Sequence, residues 1–556
     1  MNRFFITFLL FFTCIRLSAQ SLTPPMDIPL FLSGNFGELR ATHFHSGLDL
    51  KTQGVTGIPV KAVKDGYISR VNISPFGYGR ALYVTHPDGT KTVYGHLSCF
   101  AEQIEKYARE AQYLKEQFAI ELYPITNQFP VKAGDIIAYS GNTGGSGGPH
   151  LHFEIRDAVT DELYDPLPYY KNEIKDNIAP EIQGLMIFPQ SGTGVVNGKT
   201  QNQEIRFKKD KAGNRILTPE IVAWGNIGIG VKAYDKMSGT SNSYLPKKIS
   251  LEVDGIEVFA QSMDQFSFAE SRYVYSLVSF DDWISKKAFF MKSFIEPGNH
   301  LNIYTKPGSG VISVKEERVY RCKYTITDAY GNKTIFPFEI TGRKQPVPER
   351  ILNGKLFPYN QKNTFANSNV SLEIPVGNLY TDIDFEYKEI PDYTPFSGLF
   401  QIGKRIPLHS YCPLKIRISK DQYPDKSKYG IINVIGTKKS WVGGAYKDGY
   451  ISCEIRELGN YSVAIDTVAP VITPVAPEKW TNSEKISFKV TDNLSGIVDY
   501  KGTLDGKFVL FEYDPKTASM FCVFDPQRMK RGKQQLVFKV KDKCGNESEY
   551  SSNITF

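Results

Sequence analysis

The 556-residue chain has no long hydrophobic run after its first twenty residues, no CxxC cysteine pair and no large surplus of basic residues. A helix that crosses a membrane needs about 20 consecutive apolar residues, and no later stretch supplies them. Without a CxxC pair, a structural cysteine–zinc site is not expected. The formal net charge of +7 is small for this length, and no basic stripe, zinc-finger spacing or aromatic RNA-binding signature occurs. We therefore expect no transmembrane span and no nucleic-acid partner.

The first twenty residues, MNRFFITFLLFFTCIRLSAQ, have the pattern of a cleaved signal peptide. Arg3 supplies a positive start, residues 4–12 form a short apolar run, and residues 17–19 form a small-residue exit. Cys14 opens a lipoprotein alternative, but the residues on either side of it are poor for lipidation. We expect an exported chain that is periplasmic, on the cell surface or extracellular.

Cysteines are few, and six follow the signal peptide: Cys99, Cys322, Cys412, Cys453, Cys522 and Cys544. An even number in an exported chain suggests disulfides. Cys522 and Cys544 lie on segments that we expect to be separate strands of one domain, so we predict a disulfide between them. Cys412 and Cys453 form a second plausible pair, and the other two cysteines are expected to be buried free thiols.

An internal repeat indicates the organisation of the C-terminal part. The matched segments are DNIAPEI (176–182) with DTVAPVI (466–472), VKAYDKMSG (231–239) with FKVTDNLSG (488–496), and YTITDAYGN (324–332) with FKVKDKCGN (538–546). Each match joins an alternating apolar pattern to a Gly, Asn or Asp turn, as antiparallel sheets require. We therefore predict β-sandwich modules that resemble bacterial Ig-like domains at 174–343 and 466–556, with a β module of uncertain type at 344–465.

The aspartates that recur in these segments have two possible uses. They could bind calcium between modules, or they could cap turns through their own side chains, which is the commoner use of Asp before a turn. No binding motif is evident in the modules, although they could hold a regulatory protein partner.

Histidines are concentrated near the N-terminus, where six of the eight in the chain occur: His43, His45, His86, His96, His150 and His152. In GPHLHFEI, alternate residues of a strand share a face, so His150 and His152 would lie together, opposite apolar Leu151 and Phe153. An amphipathic strand facing solvent is the simpler explanation unless other residues supply partners. In HSGLD, His45 and Asp49 share a face of an extended strand and suit a divalent cation.

Three segments taken together, HSGLD, YGHLS and GPHLHFEI, resemble the LytM/lysostaphin-type zinc endopeptidases, which cut the peptide cross-links of bacterial peptidoglycan. The resemblance covers about residues 30–165 and implies a small antiparallel β peptidase domain at 21–173. It implies that His45, Asp49 and His152 bind one Zn²⁺. His96 and His150 become the catalytic histidines. Glu154 could orient a ligand imidazole, whereas His43 and His86 have no catalytic counterpart.

The resemblance leaves other functions open. Some relatives have lost ligands and activate other wall hydrolases without being enzymes, and a wall-binding scaffold built from the β modules is a further alternative. Here all five site positions are filled. The expected fold is therefore mainly β, and the expected function is a secreted zinc metalloendopeptidase.

Residues 99–129 form an insertion between YGHLS and VKAGD that the family usually lacks. Apolar residues recur there at helical spacing: Ile104, Tyr107, Ala108, Ala111, Leu114 and Phe118. We predict an amphipathic helix that either packs on the outside of the domain or covers the cleft near the zinc.

Overall fold

A computed structural model describes residues 22–209, 211, 215–305 and 308–556, so the predicted signal peptide at 1–20 lies outside the described residues. The described residues form mostly antiparallel β-sheets, which confirms the mainly β fold class. Within these ranges, no helix is both long and apolar enough to cross a membrane.

The N-terminal unit is built around one large sheet and one small sheet. Its strands, β1 to β12 in chain order, are Leu32–Gly34, Leu48–Lys51, Pro59–Lys61, Gly66–Ile73, Arg80–Thr85, Thr90–Leu97, Cys99–Phe100, Ile120–Leu122, Pro130–Val131, Ile136–Tyr139, His150–Asp157 and Leu163–Tyr164, followed by a 3-10 helix at Leu167–Tyr170. The large sheet has the order β1-β2-β11-β6-β5-β4-β8, and the small sheet has the order β3-β10-β7. On β11, Leu151, Phe153 and Ile155 are buried in the core, as their alternation predicts.

The predicted helix of the insertion is present as α1, Glu102–Lys115. Ile104, Ala108 and Gln112 form its buried face, since residues four apart lie on the same side of a helix. Leu114 was expected in this stripe, but it is 87% exposed, because a position two residues beyond Gln112 points to the opposite side. Gln112 is buried instead, and its Nε2 donates a hydrogen bond of 2.7 Å to the Phe118 carbonyl.

Residues 174–343 form a second unit. Its strands, β13 to β23, are Glu181–Val196, Gln203–Lys209, Arg215–Thr218, Val222–Tyr234, Lys248–Val253, Ile256–Ser262, Gln265–Phe266, Met291–Lys292, Ile312–Val314, Val319–Thr327 and Lys333–Gly342, with helices α2 at Val274–Leu277 and α3 at Phe280–Lys286 and a 3-10 helix at Phe268–Tyr273. Most of them form a sheet of order β15-β14-β13-β16-β23-β22-β17-β18. Strand β19 pairs instead with β12, and Phe266 packs on Phe36 and Phe44, so this unit shares a core with the first.

Residues 344–465 form a third unit. Its strands, β24 to β33, are Lys355–Phe357, Asn363–Ala366, Val370–Ile374, Ile383–Phe385, Tyr387–Ile390, Leu399–Arg417, Tyr429–Ile435, Lys438–Gly443, Ala445–Lys447 and Tyr450–Ile465, with a 3-10 helix at Lys426–Lys428. They surround a separate hydrophobic core.

The last unit contains β34 to β41: Val471–Pro474, Lys485–Thr491, Ile497–Leu504, Lys507–Val509, Glu512–Asp514, Ser519–Val523, Lys533–Asp542 and Glu547–Thr555, with α4 at Trp480–Ser483 and a 3-10 helix at Pro477–Lys479. They form sheets of order β34-β35-β39-β38 and β37-β36-β40-β41. The Ig-like character of the second and last units and the domain boundaries stay predictions.

Helix α1 lies between the N-terminal unit and the last unit. Arg80 is only 4% exposed, and its guanidinium contacts Glu105 of α1 at 3.1 Å and Glu512 of the last unit at 3.2 Å. The Tyr113 ring packs edge-on against Phe508 with centroids 5.5 Å apart. These contacts support a packing role for the insertion, with the last unit as its partner.

The disulfide predicted between Cys522 and Cys544 is wrong, because every cysteine in the described ranges is a free thiol. Cys522 is buried on β39, whereas Cys544 lies in the turn after β40 of the other sheet, with its Sγ 3.9 Å from the Lys428 carbonyl oxygen. Cys412 and Cys453 lie on neighbouring strands, but each pairs with a different residue, so they too are offset from one another.

Candidate active site

Two adjacent strands and the loop before them position the three expected metal ligands. Asp49 on β2 pairs directly with His152 on β11, so their side chains emerge side by side on one face of the sheet. His45 precedes β2 and reaches the same place. Gly47 is needed between them, because a Cβ there would lie 2.1 Å from the Phe153 carbonyl oxygen.

The ligand atoms of this trio converge. Asp49 Oδ1 lies 2.9 Å from His45 Nε2 and 2.9 Å from His152 Nδ1, and the two imidazole nitrogens are 3.1 Å apart. All three residues are buried. Two imidazoles and one carboxylate meeting at one point are a donor set that fits a divalent metal ion.

The other nitrogen of each imidazole is held by a hydrogen-bond acceptor. His45 Nδ1 lies 2.8 Å from the Asn35 carbonyl oxygen, and His152 Nε2 lies 2.7 Å from Glu154 Oε1. An N–H group at each of these positions leaves the lone pair of the neutral ring on the nitrogen that faces Asp49. The surroundings therefore select the tautomers that a metal site requires.

His96 and His150 lie beside the trio. Their ring centroids are 4.8 Å apart, and His150 Nε2 is 3.3 Å from Asp49 Oδ1. His96, the last residue but one of β6, lies in the left-handed backbone region with φ of 60°. This conformation is unfavourable for a residue other than glycine and is concentrated at functional sites. The Nδ1 atoms face carbonyl oxygens of Thr143 and Gly148, each at 2.8 Å, which leaves both Nε2 atoms as proton acceptors.

Glu154 belongs to a buried hydrogen-bond network. Glu154 is the one member of this network that the sequence predicted. Its carboxylate accepts hydrogen bonds from the hydroxyl groups of Ser46 and Tyr78 and from Arg156 Nε at 2.6 Å. Tyr78 OH is 2.7 Å from Glu154 Oε1, although the two residues are 76 positions apart along the chain. Glu154 and Arg156 share a strand face by alternation, and that is the signal that could have included Arg156.

The electrostatic surroundings favour the charged forms of the ligands His152 and Asp49 and the neutral form of His96 beside them. Burial disfavours the charged form of His152, but the carboxylates of Asp49 and Glu154 accept hydrogen bonds from its ring and raise the pKa of His152 to about 9, so metal binding would displace a proton from this ring. Burial, reinforced by the neighbouring His152 and His150, lowers the pKa of His96 to about 3. Burial opposes ionisation of Asp49, yet His45 and the hydrogen bonds around it hold its pKa well below the usual range.

Two charged residues outside the histidine set lie beside the ligands, and one of them, Arg40, contacts Asp49. Arg40 Nη2 lies 2.8 Å from Asp49 Oδ2, so one carboxylate oxygen is occupied and Oδ1 remains for the trio. Glu38 lies 3.6 Å from the same guanidinium group.

The remaining histidines lie apart from this cluster. His43 is exposed and contacts Thr42, and His86 is buried against the Asp65 carbonyl and Thr92. His300 and His409 both contact the Tyr273 ring in the second and third units. The structure thus brings together the five histidine and aspartate residues predicted for the site and leaves these four outside it.

Comparison with known proteins places the same segments in a family. Residues 43–115 and 119–166 match Peptidase family M23, and residues 354–466 match a Zu5-like domain, which gives the third β unit a family resemblance. The gap in the M23 match, residues 116–118, lies within the insertion, directly after α1.

Curated relatives match only this part of the chain. DD-carboxypeptidase/endopeptidase Mpg of Neisseria meningitidis is 32% identical over 118 residues, which are 21% of this chain and 21% of that protein. Lysostaphin of Staphylococcus simulans is 30% identical over 131 residues, 23% of this chain and 22% of the relative. The chain therefore spans about a fifth of the length of the relatives that it matches.

Among solved structures, the catalytic domain of lysostaphin from Staphylococcus simulans is 27% identical, with 25% of this chain and 90% of that chain covered and a TM-score of 0.19. A zinc-containing peptidase from Vibrio cholerae is 26% identical, with 24% and 36% covered and a TM-score of 0.18.

Proposed function

We propose that the chain is an exported zinc metalloendopeptidase that hydrolyses the peptide cross-links of bacterial peptidoglycan, because residues 43–115 and 119–166 match Peptidase family M23. One observation supports this most directly. His45 Nε2, Asp49 Oδ1 and His152 Nδ1 converge in a buried site whose other nitrogens are already hydrogen-bonded.

Zinc is the metal that this donor set favours. Catalytic zinc sites use three protein ligands from histidine and carboxylate side chains and keep one position open, and His45, Asp49 and His152 supply such a set. When bound, zinc would polarise the scissile carbonyl and lower the pKa of water toward about 7. Glu154 would orient His152, because its carboxylate accepts the hydrogen bond from Nε2.

His150 and His96 would carry the proton transfers. A general base must be neutral and must lie within hydrogen-bond reach of the reacting atoms. The hydrogen bond that His96 Nδ1 donates to the Thr143 carbonyl leaves the lone pair on Nε2, where it can accept a proton. His150 Nε2 borders the trio through Asp49, so it can take a proton from the attacking water and return it to the leaving amine.

The substrate class rests on the relatives and on the predicted export. The names of two curated relatives denote an endopeptidase with carboxypeptidase activity and a glycyl-glycine endopeptidase. An exported chain, whether periplasmic, on the cell surface or extracellular, would meet the peptide part of peptidoglycan. The cross-link that is cut depends on the surfaces around the site, which differ among relatives.

Removal of the metal tests this proposal. We expect the purified full-length protein to hold one zinc ion at the site, and to lose lysis of purified peptidoglycan when a chelator removes it. One equivalent of zinc should restore lysis, measured as the fall in turbidity of a sacculus suspension. Unchanged lysis after complete removal of zinc would contradict the proposal. Lysis that occurs only when a second hydrolase is added would support the non-catalytic activator instead.

A further inference from the structure

The internal repeat brings three aspartates together twice, at equivalent places in the second and last units. In the second unit they are Asp176, Asp235 and Asp328, and in the last unit they are Asp466, Asp492 and Asp542. In each group the nearest carboxylate oxygens all lie within 4.8 Å of one another. The members come from matched segments: D-x-x-A-P, D-x-x-S-G and D-x-x-G-N.

Turn capping, which the sequence favours, accounts for part of each cluster. Asp328 Oδ1 accepts hydrogen bonds from the backbone N–H groups of Tyr330 and Asn332, at 2.8 and 2.9 Å. Asp542 Oδ1 accepts the equivalent bonds from Cys544 and Asn546, both at 2.8 Å. A third hydrogen bond completes this turn in both units. The Asn332 side chain donates it to Asp328 Oδ2, and the Asn546 side chain donates the equivalent bond to Asp542 Oδ2.

The aspartate that opens each repeat is also capped in the same way. Asp176 Oδ1 accepts hydrogen bonds from the N–H groups of Ile178 and Ser238. Asp466 accepts hydrogen bonds from Val468 and from Ser495, the residue that matches Ser238 in the repeat. The two clusters are therefore built to one plan.

Capping does not account for the remaining oxygens. Asp235 is only 2% exposed, and its Oδ1 has no hydrogen-bond partner. Asp176 Oδ2 and, in the other cluster, Asp492 Oδ1 are also buried without partners. Among the described residues, no lysine or arginine forms an ion pair with any of the six aspartates. Buried carboxylate oxygens without a counter-charge are costly, so they call for a bound cation.

We infer that each cluster binds one calcium ion. Hard oxygen ligands are those that Ca²⁺ and Mg²⁺ prefer, but Mg²⁺ usually keeps several waters and takes only one or two carboxylates. Three carboxylates at one point, two of them on buried residues, therefore favour Ca²⁺. These sites are separate from the histidine site in ligand type and in position, and the inference does not depend on the proposed peptidase activity.

The energetics of Asp235 agree with this assignment. Burial and the neighbouring carboxylates of Asp328 and Asp176 raise the pKa of Asp235 to about 8. Near neutral pH a proton on Asp235 therefore takes the place of a counter-charge, and a bound divalent cation would displace that proton.

The position of the sites indicates what calcium would do. Asp176 and Asp466 lie where the chain enters each unit, just before β13 and β34, whereas the other aspartates follow strands at the same end of the unit. A bound ion would therefore tie the entering segment to two strand ends. The ion would hold each unit in a fixed position relative to the part of the chain that precedes it.

Calcium titration of the full-length protein tests the inference. The protein is stripped with a chelator, reloaded with one equivalent of zinc and titrated with CaCl₂ by isothermal titration calorimetry. We expect two calcium ions per chain, one in Asp235→Asn, one in Asp492→Asn and none in the double variant. Asp505→Asn is the matched control, because Asp505 belongs to the same repeat but caps the Gln535 N–H at a separate turn, and it should still bind two.

Thermal unfolding separates a metal site from a purely structural role. At a calcium concentration of about one hundred times Kd, the Tm of the last unit should rise by about 10 °C or more. Without calcium, Asp235→Asn and Asp492→Asn should be at least as stable as the unsubstituted protein, because neither amide requires a charge to be held beside two other carboxyl groups. With calcium, each variant should lack the increase in Tm of the unit that carries its substitution. A loss of stability in these variants without calcium, binding of no calcium at millimolar concentration, or displacement of calcium by a tenfold excess of MgCl₂ would overturn the inference.

Discussion

Replacing His150 by alanine is expected to reduce cross-link hydrolysis by about 100- to 10,000-fold, the usual contribution of a general acid–base group, while zinc content stays complete. His150 borders the ligand trio only through Asp49, at 3.3 Å, and its other ring nitrogen faces a backbone carbonyl. Its removal therefore leaves His45, Asp49 and His152 with their own hydrogen-bond partners. Rates on soluble cross-linked peptides and zinc content by atomic emission measure the two effects separately.

His96→Ala should behave in the same way, since His96 Nδ1 faces the Thr143 carbonyl and its ring packs edge-on against those of His150 and His152 without supplying a nitrogen to the ligand trio. His43→Ala is the matched control, because His43 is exposed and its ring hydrogen-bonds to Thr42 alone among the residues that the structure describes. It should keep both zinc and activity. If His150→Ala or His96→Ala proves empty of zinc, the ligands are assigned wrongly, and if both stay active, the acid–base roles are wrong.

Asp49→Asn is expected to abolish both zinc binding and hydrolysis. Asp49 Oδ1 meets His45 and His152 at 2.9 Å, and Arg40 holds Oδ2. The amide is close in shape but carries no charge, so it cannot replace the carboxylate as a ligand. We expect the zinc affinity to fall by well over the roughly 100-fold that loss of an outer hydrogen-bond partner costs.

The metal content of dialysed Asp49→Asn, His45→Ala and the unsubstituted protein measures this effect, with circular dichroism to show that each variant is folded. His43→Ala again serves as the control for a histidine close by in the sequence. Full zinc content in Asp49→Asn and His45→Ala would mean that the metal is held elsewhere.

That the expected ligands and catalytic histidines lie together could be predicted, because strand alternation and the family resemblance of three short motifs both indicate these residues. His150, His152 and Glu154 share a face of β11, and the structure brings them together with His45 and Asp49. Tyr78 could not be predicted in the same way, because it reaches Glu154 from a loop 76 positions away along the chain. Such contacts depend on how the strands are ordered in the sheet.

Other differences have equally specific causes. A helix in the insertion followed from composition, but helical spacing alone could not show that Gln112 would be buried in place of Leu114. The count of cysteines suggested a Cys522–Cys544 disulfide. Strand pairing instead places Cys522 within one sheet, whereas Cys544 lies in the turn after a strand of the other sheet. The repeated aspartates were individually ordinary turn residues in the sequence, and only the fold shows that they converge.

Mass spectrometry of digested peptidoglycan tests the central claim most directly. Purified sacculi of defined cross-link type are incubated with the zinc-loaded protein or with Asp49→Asn, and the released fragments are analysed. We predict new amino and carboxyl termini within the peptide cross-links, formed only by the zinc-loaded protein, with the glycan strands intact. Fragments cut in the glycan strand, or identical digests from the protein and from Asp49→Asn, would contradict the assignment of a zinc endopeptidase.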